Sequence, residues 1–409
     1  MQDRDLYARI LGIEAPWFVE DCDLDEAIGE VVISLKHDAS AGLNCPECGQ
    51  AMPGYDSRLR RWRHLDTCQY RTIVVCEVPR GKCPEHGVRQ IRVPWAEEGG
   101  RFTLLFERLV IDWLLESSRS AVARRLGLSW HEVHTLMQRA VRRGLARRRQ
   151  EVVRRLGVDE KSFQKRHEYV TTVCDLDRGC VLYVGDHRKQ ETLDAFYQGL
   201  SQEQLEGIEA VAMDMWDPYY NSTLEHVPDA EGKIVFDKFH VSQHLNQAVD
   251  AIRRWEHKQL TAAKDERLKG TRYDWLKGAA SFTRERWQRF ADLRRSTLRT
   301  ARGWALKETF GDFWEYYSSR GAEAFFDRWY GWAVRSRLEP IKKKAHMLKR
   351  RLANLLTYAR HRITNAMSES LNSKIQWVKY TARGFRNREG FRNAIYFYCG
   401  KLDLHPHQP

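Results

Sequence analysis

The segment 152–236 carries five short apolar runs whose order limits the topologies open to this chain. The first run ends near Asp159, and the next two form a predicted hairpin around the turn Asp177-Arg178-Gly179. A predicted helix precedes the fourth run, which ends on Asp214, and a shorter predicted helix precedes the fifth run. The sequence therefore predicts the order β-β-β-α-β-α-β, with an aspartate at the end of the first strand and another at the end of the fourth.

This element order is that of the ribonuclease H-like plan, in which the first and fourth strands lie side by side. We therefore expect Asp159 and Asp214 to be neighbours. Glu369 lies in a predicted helix and shares one helix face with Asn365, four residues before it, and Asn372, three residues after it. Two strand-borne aspartates and one helical glutamate offer the oxygen ligands with which two Mg²⁺ or Mn²⁺ ions act on a phosphodiester. The pattern predicts a polynucleotidyl transferase.

A helical segment at 243–360, with seven tryptophans, separates Asp214 from Glu369 in the sequence. We interpret it as an insertion in the catalytic core, because an insert whose two ends are adjacent costs the core little loop entropy. The predicted fold class is a multidomain α+β protein. Its predicted domains are a zinc-binding domain (1–98), a helix-turn-helix domain (99–150), the core in two parts (151–242 and 361–409) and the helical insertion (243–360).

Two knuckle motifs, Cys45-Pro-Glu-Cys48-Gly and Cys83-Pro-Glu-His86-Gly, have the spacing of zinc ligands. In each motif a tight turn lets two side chains converge on one ion, and together the motifs complete a tetrahedral Cys₃His site. Strand-like segments between them predict a zinc ribbon, whose closed four-ligand zinc site is structural. Competing ligands in the same span are His64, Cys68 and Cys76.

Three predicted helices between 101 and 143 form a helix-turn-helix, and the third helix begins with a capping box, Ser129-x-x-Glu132. The outer face of that third helix is polar and basic, as a major groove requires. The residues predicted to face out are His131, Thr135, Gln138, Arg139 and Arg142. The arginines predicted to contact phosphate are Arg143, Arg147, Arg148 and Arg149. An ordinary helical hairpin that only links two domains is the alternative.

The charge of the chain agrees with a double-stranded DNA partner. The 409 residues carry a formal charge of +13, and 139–155 contains eight arginines against one acid. Like charges at this density repel each other unless a polyanion screens them. The absence of a long apolar run, a polar N-terminal segment and nine cysteines with metal-like spacing predict a cytoplasmic, nucleoid-associated protein without a membrane span.

The combined motifs resemble the DDE transposases of the ISL3 insertion-sequence family. The resemblance rests on the first knuckle, the helix-turn-helix, and four blocks: GVDE around Asp159, DMWxPY from Asp214, DKFHV from Asp237 and NxxxExxNSK from Asn365. It implies a ribonuclease H-like core with an all-helical insertion, Mg²⁺-dependent cleavage at the inverted repeats, strand transfer into target DNA and assembly as a homodimer on paired ends. It places the catalytic triad at Asp159, Asp214 and Glu369. The second knuckle ends in His86, where cysteine is common in the family.

Further residues are expected to support that site, namely Asp237, His240, Asn365, Asn372 and Lys374. Two other functions explain part of the sequence. A zinc-ribbon and helix-turn-helix regulator with an inactive C-terminal body explains residues 1–150 but not the three acids. A ribonuclease H-like nuclease shares the core but needs no sequence-reading helix.

Overall fold

The computed structural model describes residues 3–164, 168–363 and 366–407. The chain divides into two compact units. The first unit contains Met1–Arg148 and Leu402–Pro409, and the second contains Arg149–Lys401.

A mixed sheet and a group of helices form the first unit. Its strands are β1 (Trp17–Asp25), β2 (Glu30–His37), β3 (Leu43–Asn44), β4 (Ala51–Met52), β5 (Gly54–Arg63), β6 (Arg71–Cys83) and β7 (Gly87–Gln90). The sheet order is β1-β2-β6-β5 with β7 also paired to β6, and β3 pairs with β4 separately. Trp62 and Trp95 are buried in its core and meet edge-to-face.

The helices of the first unit are α1 (Asp3–Leu11), α2 (Leu104–Glu116), α3 (Arg119–Leu126) and α4 (Trp130–Arg147). Gly127 ends α3 in the left-handed conformation, at φ 64°, which glycine adopts at little cost. The predicted capping box at Ser129 and Glu132 is present at the start of α4. The apolar stripe of α4 is buried, as expected for a face packed on α2 and α3. Its members are Val133, Leu136, Met137, Ala140 and Val141.

After Lys401 the chain returns to the first unit and packs on α4. Leu404 is buried, and its carbonyl oxygen accepts a hydrogen bond from Arg143. Gly144 makes room for this segment, since a Cβ there would lie 2.6 Å from the Cβ of Leu402. The core was predicted to extend to residue 409. That boundary is too late, because residues beyond Lys401 pack with the helices of the first unit.

A mixed sheet lies in the second unit. Its strands are β8 (Arg155–Gln164), β9 (Glu168–Asp175), β10 (Cys180–Asp186), β11 (Ala210–Met213) and β12 (Ile234–Phe236). Their order is β10-β9-β8-β11-β12. The first three strands pair antiparallel, whereas β8, β11 and β12 run parallel. The predicted strand order along the chain agrees with this sheet, and the first and fourth strands are neighbours as expected.

Helices cover the rest of the second unit. They are α5 (Gln190–Gln198), α6 (Gln202–Glu206), α7 (Asp217–His226), α8 (Lys238–Ala262), α9 (Arg272–Leu276), α10 (Arg284–Arg295), α11 (Arg299–Phe310), α12 (Ser319–Arg335), α13 (Glu339–Arg350), α14 (Leu352–His361), α15 (Ala366–Thr381) and α16 (Arg388–Cys399). None of the described helices is both long and apolar enough to cross a membrane.

The all-helical segment begins earlier than predicted. The predicted boundary at 243 lies inside α8, which starts at Lys238 directly after the cap residue Asp237. Trp275, Trp304 and Trp329 are buried in a core that is continuous with residues of the sheet, such as Val211. These tryptophans therefore stabilise the packing of the helical segment.

Candidate functional site

The four predicted zinc ligands lie together. The ligand atoms of Cys45, Cys48, Cys83 and His86 are all within 4.8 Å of one another. His86 directs Nδ1 at the cluster, 3.5 Å from the Sγ atom of Cys83 and 3.8 Å from that of Cys45. Three thiolates and one imidazole at these separations fit a tetrahedral zinc ion.

Local structure explains why the two knuckles converge. Gly49 and Gly87, at φ 76° and 67°, let the chain turn back directly after each ligand pair. The other ring nitrogen of His86, Nε2, lies 3.6 Å from Oε2 of Glu47, and Glu47 is bonded in turn to Arg89. A carboxylate at this position orients a histidine ligand, as outer-shell carboxylates commonly do.

The three competing ligands stand outside the cluster. Cys76 is buried in β6, and burial raises the pKa of its thiol to about 12, as expected for a structural cysteine. Cys68 is exposed. His64 is buried, its Nδ1 atom lies 2.8 Å from the hydroxyl oxygen of Thr103, and burial, with a smaller effect of Arg63, lowers its pKa to about 4.

The two strand-borne aspartates are neighbours. Val158 of β8 pairs with Met213 of β11, so Asp159 and Asp214 follow adjacent positions on parallel strands. Asp159 was predicted to end its strand, but β8 continues beyond it to Gln164 by pairing with β9. The parallel pairing with β11 stops at Val158, however, so the sheet opens beside Asp159.

Two side chains contact the carboxylate of Asp159 directly. Its Oδ2 atom accepts a hydrogen bond from Nδ2 of Asn372 at 2.8 Å and lies 2.6 Å from Nζ of Lys161. Asn372 belongs to α15, so this bond brings the helix that carries Glu369 to the sheet. Lys161 is almost fully buried and was missed by the sequence analysis. The alternation of side chains along β8 places Lys161 on the same face as Asp159, and this was the available signal.

His240 contacts the second aspartate. Its Nδ1 atom lies 3.0 Å from Oδ2 of Asp214, and its Nε2 atom lies 3.7 Å from Oδ2 of Asp237. Burial disfavours the charged imidazole, but the hydrogen bond to Asp214 and the charges of Asp214 and Asp237 outweigh it and raise the pKa to about 9. Although burial acts the other way, the same contact lowers the pKa of Asp214. The pair is an ionised carboxylate beside a protonated imidazole.

Glu369 is exposed on α15, one helical turn before Asn372. Among the residues that the structure describes, Asp159, Asp214 and Glu369 do not form a group whose ligand atoms all lie within 4.8 Å. A two-metal site would not require such a group, since each ion would need ligands from only two of the three acids. Lys374 is exposed further along α15, and Asn365 lies outside the described residues.

A fourth carboxylate, missed by the sequence analysis, stands next to Asp159. Burial raises the pKa of Glu160, and the charges of Asp159 and Asp214 add to that rise, while Arg188 opposes it. Arg188 pairs with Glu160 at 3.2 Å, and its guanidinium lies over the ring of Trp216. The available signal for Glu160 was its position directly after Asp159. Nothing in the local sequence indicated that Arg188 lies beside it.

Comparison with known proteins decides the family. A family model described as transposase, of the DDE type of ISL3, matches residues 156–395, which is more than half of the chain. The chain belongs to the ISL3 family of transposases. The helix-turn-helix domain of transposase family ISL3 matches residues 91–141, and the zinc finger of the transposases IS204, IS1001, IS1096 and IS1165 matches residues 43–86. The resemblance drawn from the motifs is confirmed, with its zinc-finger and helix-turn-helix modules.

Curated relatives of this transposase match over nearly their whole length. The transposase for insertion sequence element IS1557 of Mycobacterium tuberculosis is 28% identical over 418 residues, which cover 95% of this chain and 93% of the relative. The transposase for insertion sequence element IS1001 of Bordetella parapertussis is 30% identical over 402 residues, covering 96% and 97% respectively.

The exposed face of α4 is smaller than predicted. His131, Thr135 and Arg142 are exposed on α4, in agreement with the predicted outer face. Arg139 does not point outward freely but pairs with Glu97 at 2.9 Å.

Arg143 was predicted to contact phosphate, but in the structure its side chain contacts carboxylates of the first unit. Its side chain is only 8% exposed and pairs with both Glu97 and Glu107, of which Glu107 is buried. Arg147 is partly buried, bonded to the carboxylate of Asp403 and the carbonyl oxygen of His405. The assignments of Gln138, Arg148 and Arg149 stay predictions.

Proposed function

We propose that this transposase binds the terminal inverted repeats of its insertion sequence, cleaves the DNA ends and joins the freed 3′-OH to target DNA. One observation carries the proposal: Asp159 and Asp214 lie on neighbouring parallel strands, and Asn372 ties the helix of Glu369 to Asp159. Oxygen ligands from two strands and one helix at the opening of a sheet suit phosphodiester chemistry.

A ribonuclease H-like core is part of this proposal. Three antiparallel strands followed by two parallel ones, in the order β10-β9-β8-β11-β12, support it. The site then lies where β8 and β11 diverge, which is the position where acidic side chains from both strands reach the same volume.

The donor set fits two Mg²⁺ or Mn²⁺ ions: Asp159 and Asp214 would hold one, and Asp159 and Glu369 would hold the other. When bound, the ions activate water and stabilise the charge on the attacking and leaving oxygens. The chain itself orients two of these carboxylates. Asn372 and Lys161 fix Asp159, and His240 fixes Asp214.

The reaction needs no covalent enzyme intermediate, because positioning and charge neutralisation supply most of the rate in phosphoryl transfer. In the first step the oxygen of water bonds to phosphorus, the bond from phosphorus to the 3′ oxygen breaks, and that oxygen leaves as a hydroxyl group. In the second step the 3′-OH attacks a target phosphodiester in the same way. Pairing of the two ends by a homodimer is included in the proposal.

The test is incubation of the purified protein with labelled inverted-repeat DNA and Mg²⁺, with nicks scored by position. Asp159→Asn, Asp214→Asn and Glu369→Gln each abolish cleavage and leave end binding intact, since a neutral amide is a poor Mg²⁺ ligand. Asp177→Asn, in the turn between β9 and β10, is the matched control and cleaves as the wild type does.

Cleavage that survives in any one of the three variants removes that residue from the triad. A wild-type protein that binds ends without cleaving them is a regulator instead. Cleavage that ignores the terminal repeats indicates a general nuclease.

A further inference from the structure

Two faces of α15 are occupied by the second unit. Leu371, Ile375 and Val378 recur at helical spacing and are buried. On a neighbouring face, Asn372 bonds to Asp159, and Nζ of Lys379 donates a hydrogen bond to the carbonyl oxygen of Ser162 at 2.7 Å. The helix therefore lies along β8, and its remaining face is exposed.

That exposed face carries two aromatic rings. The Tyr380 side chain is 84% exposed and that of Trp377 is 44% exposed. At 100° and 1.5 Å per residue, Tyr380 lies about 20° around the helix from Glu369 and about 16 Å along it. Trp377 is held edge-on by Tyr398, with ring centroids 5.7 Å apart. Two large exposed rings on the helix of Glu369, one of them in line with that carboxylate, indicate a binding surface, because exposed apolar area of this size is unfavourable in water.

The charged residues of the chain segment that carries these rings are basic. Between Ser370 and Arg386 the sequence has two lysines, two arginines and no acid. Lys374, Arg383 and Arg386 are exposed. We call the surface formed by Trp377, Tyr380 and these three basic residues the α15 track. Its charge is complementary to a phosphate backbone, and its rings present flat faces.

We propose that the α15 track binds a single DNA strand beside the cleaved phosphate and stacks Tyr380 and Trp377 on unpaired bases. This inference rests on the proposed function, because it assumes that Glu369 faces the reacting phosphodiester. Base faces inside a duplex are covered by neighbouring pairs, so aromatic rings reach them only after a base has left the stack. At the duplex rise of 3.4 Å per nucleotide, a distance of about 16 Å spans about five nucleotides, and it spans fewer in an extended strand, so the unpaired bases lie within about five nucleotides of the cleaved phosphate.

The test compares two forms of the end duplex, one fully paired and one with two unpaired bases within five nucleotides of the cleavage position. Binding is measured in the Glu369→Gln background, where no cleavage is expected. The starting protein binds the unpaired form more tightly, and Tyr380→Ala loses about tenfold in affinity for that form alone. Tyr380→Phe keeps the stacking face and restores the preference. Tyr273→Ala removes another exposed tyrosine, on α9, and changes neither affinity.

A photo-crosslink identifies the contact directly. With 5-iodouracil at the unpaired positions, mass spectrometry finds the adduct on Tyr380 or Trp377. Equal loss of affinity for both duplexes in Tyr380→Ala, or crosslinks confined to other residues, overturns the proposal. A change from dimer to monomer in that variant also overturns it, since the face is then a contact between copies of the chain.

Failure of the α15 track and failure of the proposed function give different results. If the wild type cleaves ends and Tyr380→Ala matches it in binding and crosslinking, only the track is wrong. If the wild type never cleaves, while Tyr380→Ala still loses its affinity for unpaired DNA, only the proposed reaction is wrong.

Discussion

Asn372 donates a hydrogen bond from its side-chain amide to Oδ2 of Asp159, across 2.8 Å in space and 213 residues of sequence. The bond fixes the carboxylate of Asp159 in β8 and also fixes the position of α15 along that strand. Asparagine suits this role because its amide supplies the donor without adding a charge.

Replacement of Asn372 should lower activity without unfolding the protein. Asn372→Ala removes the donor that orients Asp159, and we expect cleavage to fall by roughly 10- to 100-fold, the usual effect of losing an outer-shell partner. Asn372→Asp should be worse, because a second carboxylate repels the first. The measurement is the single-turnover cleavage rate of inverted-repeat DNA. Asn221→Ala, an exposed asparagine on α7, is the control, and a rate for Asn372→Ala equal to that control contradicts the assignment.

The zinc site predicts one tightly bound zinc ion per chain. Cys48→Ser removes one of four ligands, and because structural zinc supplies folding free energy, residues 40–95 should lose protection from hydrogen exchange. Cys68→Ser is the matched control, since this exposed cysteine stands outside the cluster. Zinc content by mass spectrometry should be one per chain in the control and near zero in Cys48→Ser. A variant of Cys68 that loses zinc shows the ligand set to be wrong.

Arg143 should matter for stability rather than for DNA affinity. Arg143→Met leaves Glu107, which is 1% exposed, without its partner, and breaking a buried pair in this way costs about 3–5 kcal/mol. The exposed Arg142→Ala should change the free energy of unfolding by no more than about 0.5 kcal/mol. Urea unfolding of both variants provides the comparison. The double variant Glu107→Gln with Arg143→Met should recover part of the loss, and no recovery argues against the pair.

Sequence reading by α4 should depend on its exposed face. Arg142→Ala and Gln138→Ala should reduce discrimination between the element's end and scrambled DNA by about 1–3 kcal/mol, if each loses a base contact. Arg149→Ala should weaken both DNAs equally and reduce the slope of the salt dependence by about one. Titrations of both DNAs at several salt concentrations separate these effects. Equal losses on both DNAs from the α4 variants show that the helix does not read sequence.

His64 should make the first unit sensitive to acid. Its pKa of about 4 in the folded protein is below the value of about 6.5 for a free histidine. In this pH range His64 therefore binds a proton in the unfolded chain but not in the folded chain. The free energy of unfolding falls by roughly 3 kcal/mol as pH drops from about 6.5 to about 4. Hydrogen exchange of β6 amides at saturating zinc measures this. His64→Gln should flatten the pH dependence, whereas the exposed His407→Gln should keep the wild-type slope.

Features set by neighbours in sequence were predictable. The capping box of α4 and its apolar stripe follow from local spacing, and both are present. The knuckle ligands also converge as expected, because each pair is positioned by its own turn. The start of α8 was missed although Asp237 is a common cap residue, so a local signal existed there.

Contacts between distant segments were not predictable from periodicity. The lysine beside Asp159 was visible only as alternation along β8, and nothing local marks Glu97 or Glu107 as partners of Arg143. An arginine-rich run looks the same whether its side chains face phosphate or buried carboxylates. Only the packing of the helices determines which arginines face solvent and which face buried carboxylates.

The hydrogen bond from Arg143 to the carbonyl oxygen of Leu404 joins residues 261 positions apart. It can therefore form only late in the synthesis of the chain. A ribosome that adds about 5–20 residues per second completes α4 roughly 13–50 seconds before it reaches Leu404. Throughout that interval the nascent first unit lacks the C-terminal segment that packs against Gly144 of α4. Its helices can finish packing only after the whole second unit has been synthesised.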